Sequence, residues 1–443
     1  MKGIRWLRQS LQQAKRLNRQ GSLRFGATSA IAIGLLLAIA PLQQVESTAP
    51  TLHWMKVKAH NKEERSLVSN TGVSIEVMKD DYVIAIGNQE EKEKLAKLNL
   101  IESSYAMVGE LDFPPEDSDF HNYAEVTAEL TKMHLNFPDI TELTSIGKSL
   151  EGRDILSVRI STNLDQSKNK PAILFMGGHH SREHLSVEVP LRFAWHLLNE
   201  YYAGNQRIVN LIQSREIHII PAVNPDGLEF DVSAGSYKYW RKNRRHNKDG
   251  TYGVDLNRNY GFKWGTGGSS SSPSSDTYMG PNPFSEPETQ AIKKYVEDHV
   301  NISILLSFHT YSQLILYPWG HSYDPIPEHK DQQVHEIMAK KMAEWNQYTP
   351  EQSSDLYIAS GDTTDWAYGE HKIISFTFEL DPSGGGFGSG GFYPGEKVIP
   401  EVLRKNIEPC LYLMDLADNP YRVLGPDPLT PTLGSRTNSV FNY

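Results

Sequence analysis

Four apolar runs constrain the fold of this chain more than any other feature. They are PAILFMGG at 171–178, EIHIIPAV at 216–223, ISILLSFH at 302–309 and KIISFTFEL at 372–380. Each has the length and the β-branched or aromatic content of a buried strand. Patterns with helical spacing occupy 122–135, 184–204, 285–300 and 331–346. Strands alternating with helices predict an α/β domain, because parallel neighbours need long crossovers. The expected architecture is a mixed, largely parallel central sheet with helices on both faces. At the head of SEPETQAIKKYVED, Ser285 and Glu288 are spaced as a capping box. Two Gly/Ser-rich stretches, 265–276 and 381–395, read as long loops, and no internal repeat is present.

Composition narrows the chemistry. A net charge of −10 argues against nucleic acid as a general partner. Cys410 is the single cysteine, so the chain has no intrachain disulfide and no cysteine-built zinc site. Any zinc must use histidine and carboxylate ligands.

The N-terminal region reads as separate from this domain. Residues 1–24 hold seven Lys/Arg and no acid, and 25–45 carry no charge at all. A basic flank before an apolar stretch predicts a secretory signal peptide or a membrane anchor over 1–45. The sequence AIA at 38–40 has the small-x-small form of a cleavage site, although Pro41 follows it directly. Residues 46–111 read as a small α+β module: 72–88 alternates like strands, and 90–103 reads as a charged helix. A Pro- and acid-rich linker at 111–123 suits a domain boundary. The module is expected to be a propeptide; the plainer alternative is an N-terminal subdomain. A main domain over 112–425 and a loose tail over 426–443 complete the expected organisation.

The residues that carry chemistry gather where the strands end. GGHHSREH at 177–184 follows the first run, His309 closes the third, and Glu379 lies near the end of the fourth. In open α/β sheets, ligands bind at the carboxyl edge of the strands. His180-x-x-Glu183 is a zinc pattern, but His180–His184 also fits H-x-x-E-H, in which both histidines bind the metal and the glutamate acts as base. A catalytic zinc takes three protein ligands and leaves one position open. His180, Glu183 and His309 supply such a set, with Glu379 free to act as general base.

Two further stretches add candidate residues. WRKNRRHN at 240–247 is either a basic surface loop or the source of an arginine that stabilises an oxyanion. Asn257 and Arg258, within GVDLNRNYGFKWG, offer a guanidinium and an amide side by side, a combination suited to gripping a carboxylate.

Taken together, SIGKSLEGRDI, HHSREHLSVE, VNPDG, SYKYWRKNR, GVDLNRNYGFKWG, FSEPET, SFHTYSQLILYPWG, LYIASGDTTDWAYG and SFTFELDP resemble the zinc carboxypeptidase family. This family includes the pancreatic A and B enzymes, and the likeness is strongest to its bacterial secreted T type. It runs from about residue 112 to about 421. The resemblance implies a zinc-dependent exopeptidase with His180, Glu183 and His309 on the metal, and His179 and His184 as neighbours only. It implies Glu379 as general base and Arg241 as the group polarising the scissile carbonyl. Asn257 and Arg258 would hold the terminal carboxylate, with Arg182 as a secondary contact and Tyr357 closing over the substrate.

The pocket for the last side chain would include Thr364 and Asp362, which implies broad specificity for hydrophobic and basic ends. Peptides with a free C-terminus are the implied substrates, and an activating protease would release the propeptide near 111–112. Structural calcium belongs to the T type. Here the matching stretch STNLDQSKNKP at 161–171 has one acid, Asp165, beside Lys168 and Lys170, which argues against calcium there. A second calcium position near 118–125 is left open. Two other functions compete: a peptidase for cell-wall peptides, and a non-catalytic peptide-binding protein, which would be expected to have lost Glu379 or a ligand.

Overall fold

The computed structural model describes residues 52–106 and 113–425, apart from 62–63, 65–66, 69–70, 72, 79–80, 115–116, 234 and 384–390. The N-terminal segment 1–45, the cleavage region 111–112 and the tail 426–443 lie outside the described residues. No described helix is long and apolar enough to cross a membrane.

The first module has strands β1 (Leu52–Lys58), β2 (Ser74–Met78), β3 (Tyr82–Asn88) and β4 (Ile101–Ala106), with helix α1 (Gln89–Ala96) before the last strand. Its antiparallel sheet runs β2-β3-β1-β4. The helix is shorter than the 90–103 expected from sequence. Asn99 takes a left-handed conformation at φ 55°, which ends the helical path, and the chain re-enters the sheet at Ile101.

The second module is built on eight strands: β5 (Thr141–Lys148), β6 (Asp154–Ile160), β7 (Ala172–Met176), β8 (Glu216–Ile220), β9 (Ile302–Thr310), β10 (Leu314–Tyr317), β11 (Thr349–Gln352) and β12 (Ile374–Leu380). They lie in the order β11-β10-β12-β9-β7-β8-β6-β5. The four apolar runs of the sequence are the four central strands, and β12-β9-β7-β8 are mutually parallel. The outer strands β5, β6 and β10 add the antiparallel pairs that make the sheet mixed. Strands such as TELTSIGK and TPEQ escape a hydrophobicity reading because they are polar and partly exposed.

Side chains on the central strands alternate between two cores. Ile173 and Phe175 enter one, while Ala172, Leu174 and Met176 enter the other. The larger core takes in α2 (Tyr123–Asn136), α3 (Leu185–Tyr202), α4 (Gln206–Ser214), α7 (His329–Asn346) and α9 (Ile399–Leu416). The smaller one takes in α6 (Pro287–Asp298) and α8 (Thr363–His371), with Trp366 fully buried. A short helix, α5 (Pro225–Asp231), follows β8. Truncating a fully buried aromatic such as Phe175 or Phe376 would cost about 3–5 kcal/mol.

The capping box does not form at Ser285 and Glu288. The N-cap of α6 is Glu286, and Ser285 Oγ donates to the Glu286 carboxylate at 2.6 Å. Glu288 turns inward, where it accepts from Leu150 N and Asn243 Nδ2. A buried polar network has overridden the local capping preference. Among the described residues, a capping box does form at Asn122 and Glu125, at the start of α2.

Candidate active site

β7, β9 and β12 are adjacent and parallel, so their carboxyl ends share one edge of the sheet. After β7 the chain turns at Gly177 and Gly178. A Cβ on Gly177 would lie 1.8 Å from the Ser186 carbonyl oxygen, so only glycine lets α3 start this close. The turn delivers His180 and Glu183 just before α3. His309 lies at the end of β9, and Glu379 on β12 is its register partner.

His180 Nδ1 lies 2.8 Å from Glu183 Oε1, His309 Nδ1 lies 2.9 Å from Glu183 Oε2, and the two Nδ1 atoms are 3.1 Å apart. All three side chains are buried. His180 Nε2 faces Asp255 Oδ1 at 3.0 Å. Asp255 is fully buried; Arg241, then His180, outweigh its burial and hold it well below the usual carboxylate range. The ionised Asp255 favours the His180 tautomer with its hydrogen on Nε2, which frees Nδ1 to share a cation with Glu183. Burial also pushes the His309 imidazole below its usual range. Bare imidazole nitrogens and a carboxylate that converge in a buried place are a donor set for a small cation such as zinc. Among the described residues, this is the single convergence of three or more His, Cys, Asp or Glu ligand atoms.

His179 and His184 stand outside the set. His179 Nε2 lies 2.9 Å from the Tyr260 hydroxyl, and His184 Nε2 lies 2.8 Å from Asp231 Oδ2. The H-x-x-E-H alternative is therefore not realised: α3 begins right after His184 and carries its ring away from Glu183.

Arg241 and Asp255 are locked together, with both Nε and Nη2 2.9 Å from Asp255 Oδ2. The Arg241 Nη1 atom is 3.7 Å from Glu183 Oε1, which puts a positive charge beside the metal-competent cluster. Glu379 is partly buried. Burial and then Glu183 push its carboxyl well above the usual range, while Arg241 and Arg258 pull the other way.

Asn257 and Arg258 form a single helical turn capped by Asp255. Arg258 is held by its Nε on Gly268 O at 3.2 Å and its Nη1 on Asn257 O at 2.7 Å. Its guanidinium lies 6.0 Å from the ring centre of Tyr357, which is 52% exposed. Arg182 contacts Asp276 and the Tyr239 carbonyl, and lies over the Phe392 ring. Asp362 Oδ1 accepts from Thr364 N and Asp365 N at the start of α8, while its Oδ2 is buried without a partner. Burial and the neighbouring Asp365 push this carboxyl up to about 7. Thr364 Oγ1 pairs with Thr377 Oγ1 at 2.7 Å.

The remaining basic residues of WRKNRRHN are engaged inside the protein. Lys242 donates to Pro273 O, Arg245 pairs with Glu286, and the Arg244 guanidinium lies 3.5 Å from the Phe230 ring centre. In the stretch considered for calcium, the Lys170 ammonium donates to Ser161 Oγ, Thr162 O and Thr162 Oγ1. A cation is thus already supplied by the chain at those oxygens. Near 118–125, the Glu125 carboxylate is engaged in the capping box.

Sequence reasoning missed two residues. Asp255 orients both His180 and Arg241; the signal was its place two residues before Asn257 in an already suspicious segment. Asn224, in VNPDG, has its Nδ2 within 3.2 Å of His179 O, Ser181 Oγ and Lys242 O, tying the histidine turn to the arginine segment.

A sequence model of the zinc carboxypeptidase family matches residues 126–409. A zinc carboxypeptidase from Saccharothrix mutabilis subsp. capreolus is 34% identical over 423 residues, covering 89% of this chain and 96% of the relative. Carboxypeptidase A5 of Macaca fascicularis is 32% identical over 346 residues, covering 76% of this chain and 74% of that protein. Among solved structures, bovine thrombin-activatable fibrinolysis inhibitor in complex with tick carboxypeptidase inhibitor matches with a TM-score of 0.60 and 28% identity, over 68% of this chain and 97% of that one.

Proposed function

The chain belongs to the zinc carboxypeptidase family and is a metallocarboxypeptidase, and we propose that its cleft removes single C-terminal residues, hydrophobic and basic, from peptides. One observation carries this reading: the His180–Glu183–His309 donor set lies beside Glu379 and Arg241 on one sheet edge.

His180, Glu183 and His309 would hold zinc, with Asp255 fixing the His180 tautomer. Zinc held there would supply Lewis acidity toward the scissile carbonyl and toward a water. Arg258 and Asn257 grip the terminal carboxylate, and Tyr357 folds over it, with Arg182 as an outer contact. This grip sets the register, so the bond reached is the last one in the peptide. Arg241 faces the carbonyl oxygen as negative charge develops on it. Glu379 takes the proton of the attacking water and returns it to the departing amine.

The terminal side chain enters a pocket that includes Asp362 and Thr364. An acid whose second oxygen has no partner supports acceptance of basic ends beside hydrophobic ones. Residues 46–111 act as a propeptide covering the cleft, and an activating protease cuts near 111–112 to leave the catalytic domain 112–425. The basic and apolar segment 1–45 directs secretion, with retention as a membrane anchor the alternative.

Mass spectrometry of a peptide mixture incubated with the zinc-loaded protein tests the reading. One-residue C-terminal ladders that vanish with a chelator are expected. Internal fragments, or cleavage of cell-wall peptides alone, would overturn it.

A further inference from the structure

Asn257 can help grip a carboxylate only if its amide presents the nitrogen and not the oxygen. The two ends of a side-chain amide have nearly the same shape and opposite polarity. Something in the fold must choose between them.

The choice is visible at the start of α8. Asn257 Oδ1 accepts from Thr363 N at 2.9 Å and from Thr363 Oγ1 at 2.8 Å. A backbone N–H can only donate, so the atom facing it is the oxygen. Thr363 is fully buried and Asn257 is 8% exposed. The Thr363 hydroxyl is itself placed, 3.2 Å from His179 Nε2, which also meets the Tyr260 hydroxyl. At its other end, Asn257 N donates to Asp255 Oδ1. Its backbone is thus fixed by the carboxylate that orients His180 and Arg241, and its amide oxygen by Thr363.

We propose that Thr363 is a positioning residue for the carboxylate grip: its N–H and hydroxyl together hold the Asn257 oxygen and so turn the Asn257 NH₂ toward the substrate's terminal carboxylate. This rests on the proposed role of Asn257 as a carboxylate contact. If the hydroxyl is lost, the oxygen keeps one donor of two. The backbone N–H still selects the oxygen, but the amide is held by one bond where it had two, and its NH₂ meets the carboxylate less rigidly.

The test compares Thr363→Val, Thr363→Ala and Thr363→Ser on paired acyl-dipeptides that end in a free carboxylate or in the amide. Valine keeps the shape and the backbone N–H and removes the hydroxyl; alanine is the second hydroxyl-free variant should valine not fold. On the acid, KM should rise about 5–10-fold with kcat within about 2-fold, the size expected for one hydrogen bond. On the amide, kcat/KM should not change. Serine should restore the acid KM. Calorimetric binding of N-benzoyl-phenylalanine to the zinc-free protein should weaken by the same factor in Thr363→Val and not in Thr363→Ser. An unchanged acid KM in both hydroxyl-free variants, or equal losses on acid and amide, would overturn the proposal. Asn257→Ala separates the two levels. If it lowers the acid-to-amide ratio while Thr363→Val does not, Thr363 has no such role. If it leaves the ratio unchanged, the role of Asn257 fails, and that of Thr363 with it.

Discussion

Glu379 on β12 is the register partner of His309 on the parallel strand β9. The proposed base and a proposed metal ligand are therefore set side by side by strand pairing, not by a mobile loop. Glu379→Gln keeps the size of the side chain and removes the proton acceptor. Turnover should fall about 10²–10⁴-fold, the usual share of general-base catalysis, with bound zinc unchanged. Rates measured together with metal content check this; a parallel loss of zinc would mean that Glu379 is part of the metal site.

Asp255 holds His180 through one oxygen and Arg241 through the other. Asp255→Asn should weaken zinc affinity about 10–100-fold, as loss of a partner behind a ligand histidine does. Competition with a chromogenic chelator measures it. Because Arg241 is released as well, kcat should stay depressed even at saturating zinc.

Asp362 has a carboxyl pushed up to about 7 by burial and by Asp365, with Oδ2 unpartnered. A raised carboxyl is neutral below its pKa and ionised above it. Cleavage of peptides ending in Lys or Arg should therefore gain on peptides ending in Phe as pH rises through about 7. Asp362→Asn should flatten this ratio, which paired substrates followed across pH 5.5 to 8.5 would read out (roughly the span over which such a group titrates).

Glu288 is buried beside Glu286, and burial pushes its carboxyl up to about 7. Its folded value lies above the unfolded one near 4.5, so it favours the fold at low pH. That contribution is lost as pH rises through about 7. Glu288→Gln cannot ionise. Relative to the parent, the variant should gain stability between about pH 5 and pH 8, by up to roughly 3 kcal/mol. Melting curves at both pH values test the sign, and a constant difference would refute it.

Much of the sheet edge that carries the candidate site was legible because buried parallel strands are apolar along their whole length. The runs ending near His180, His309 and Glu379 could be picked out by composition alone, and they became the centre of the sheet. The outer strands were not legible, because a half-exposed edge strand such as TPEQ carries no hydrophobic signature. The capping box assigned to Ser285 failed for a related reason. A local motif yields when a buried group such as Asn243 offers Glu288 a better partner.

By itself, then, the order of residues determined the α/β class, the central strands, and a metal site made of histidine and carboxylate in a chain with one cysteine. Only the tertiary structure decided which histidines converge. His180 and His309 are 129 positions apart, while His184 is four from His180 and points elsewhere. It also decided that Asp255 serves two partners, and that the Asn257 amide turns its oxygen to Thr363 across 106 positions. Spacing along a chain limits which side chains can share a helical turn or a strand end. Which atom of a buried side chain meets which partner depends on strand register and on satisfying every buried donor and acceptor at once, and those are properties of the assembled fold.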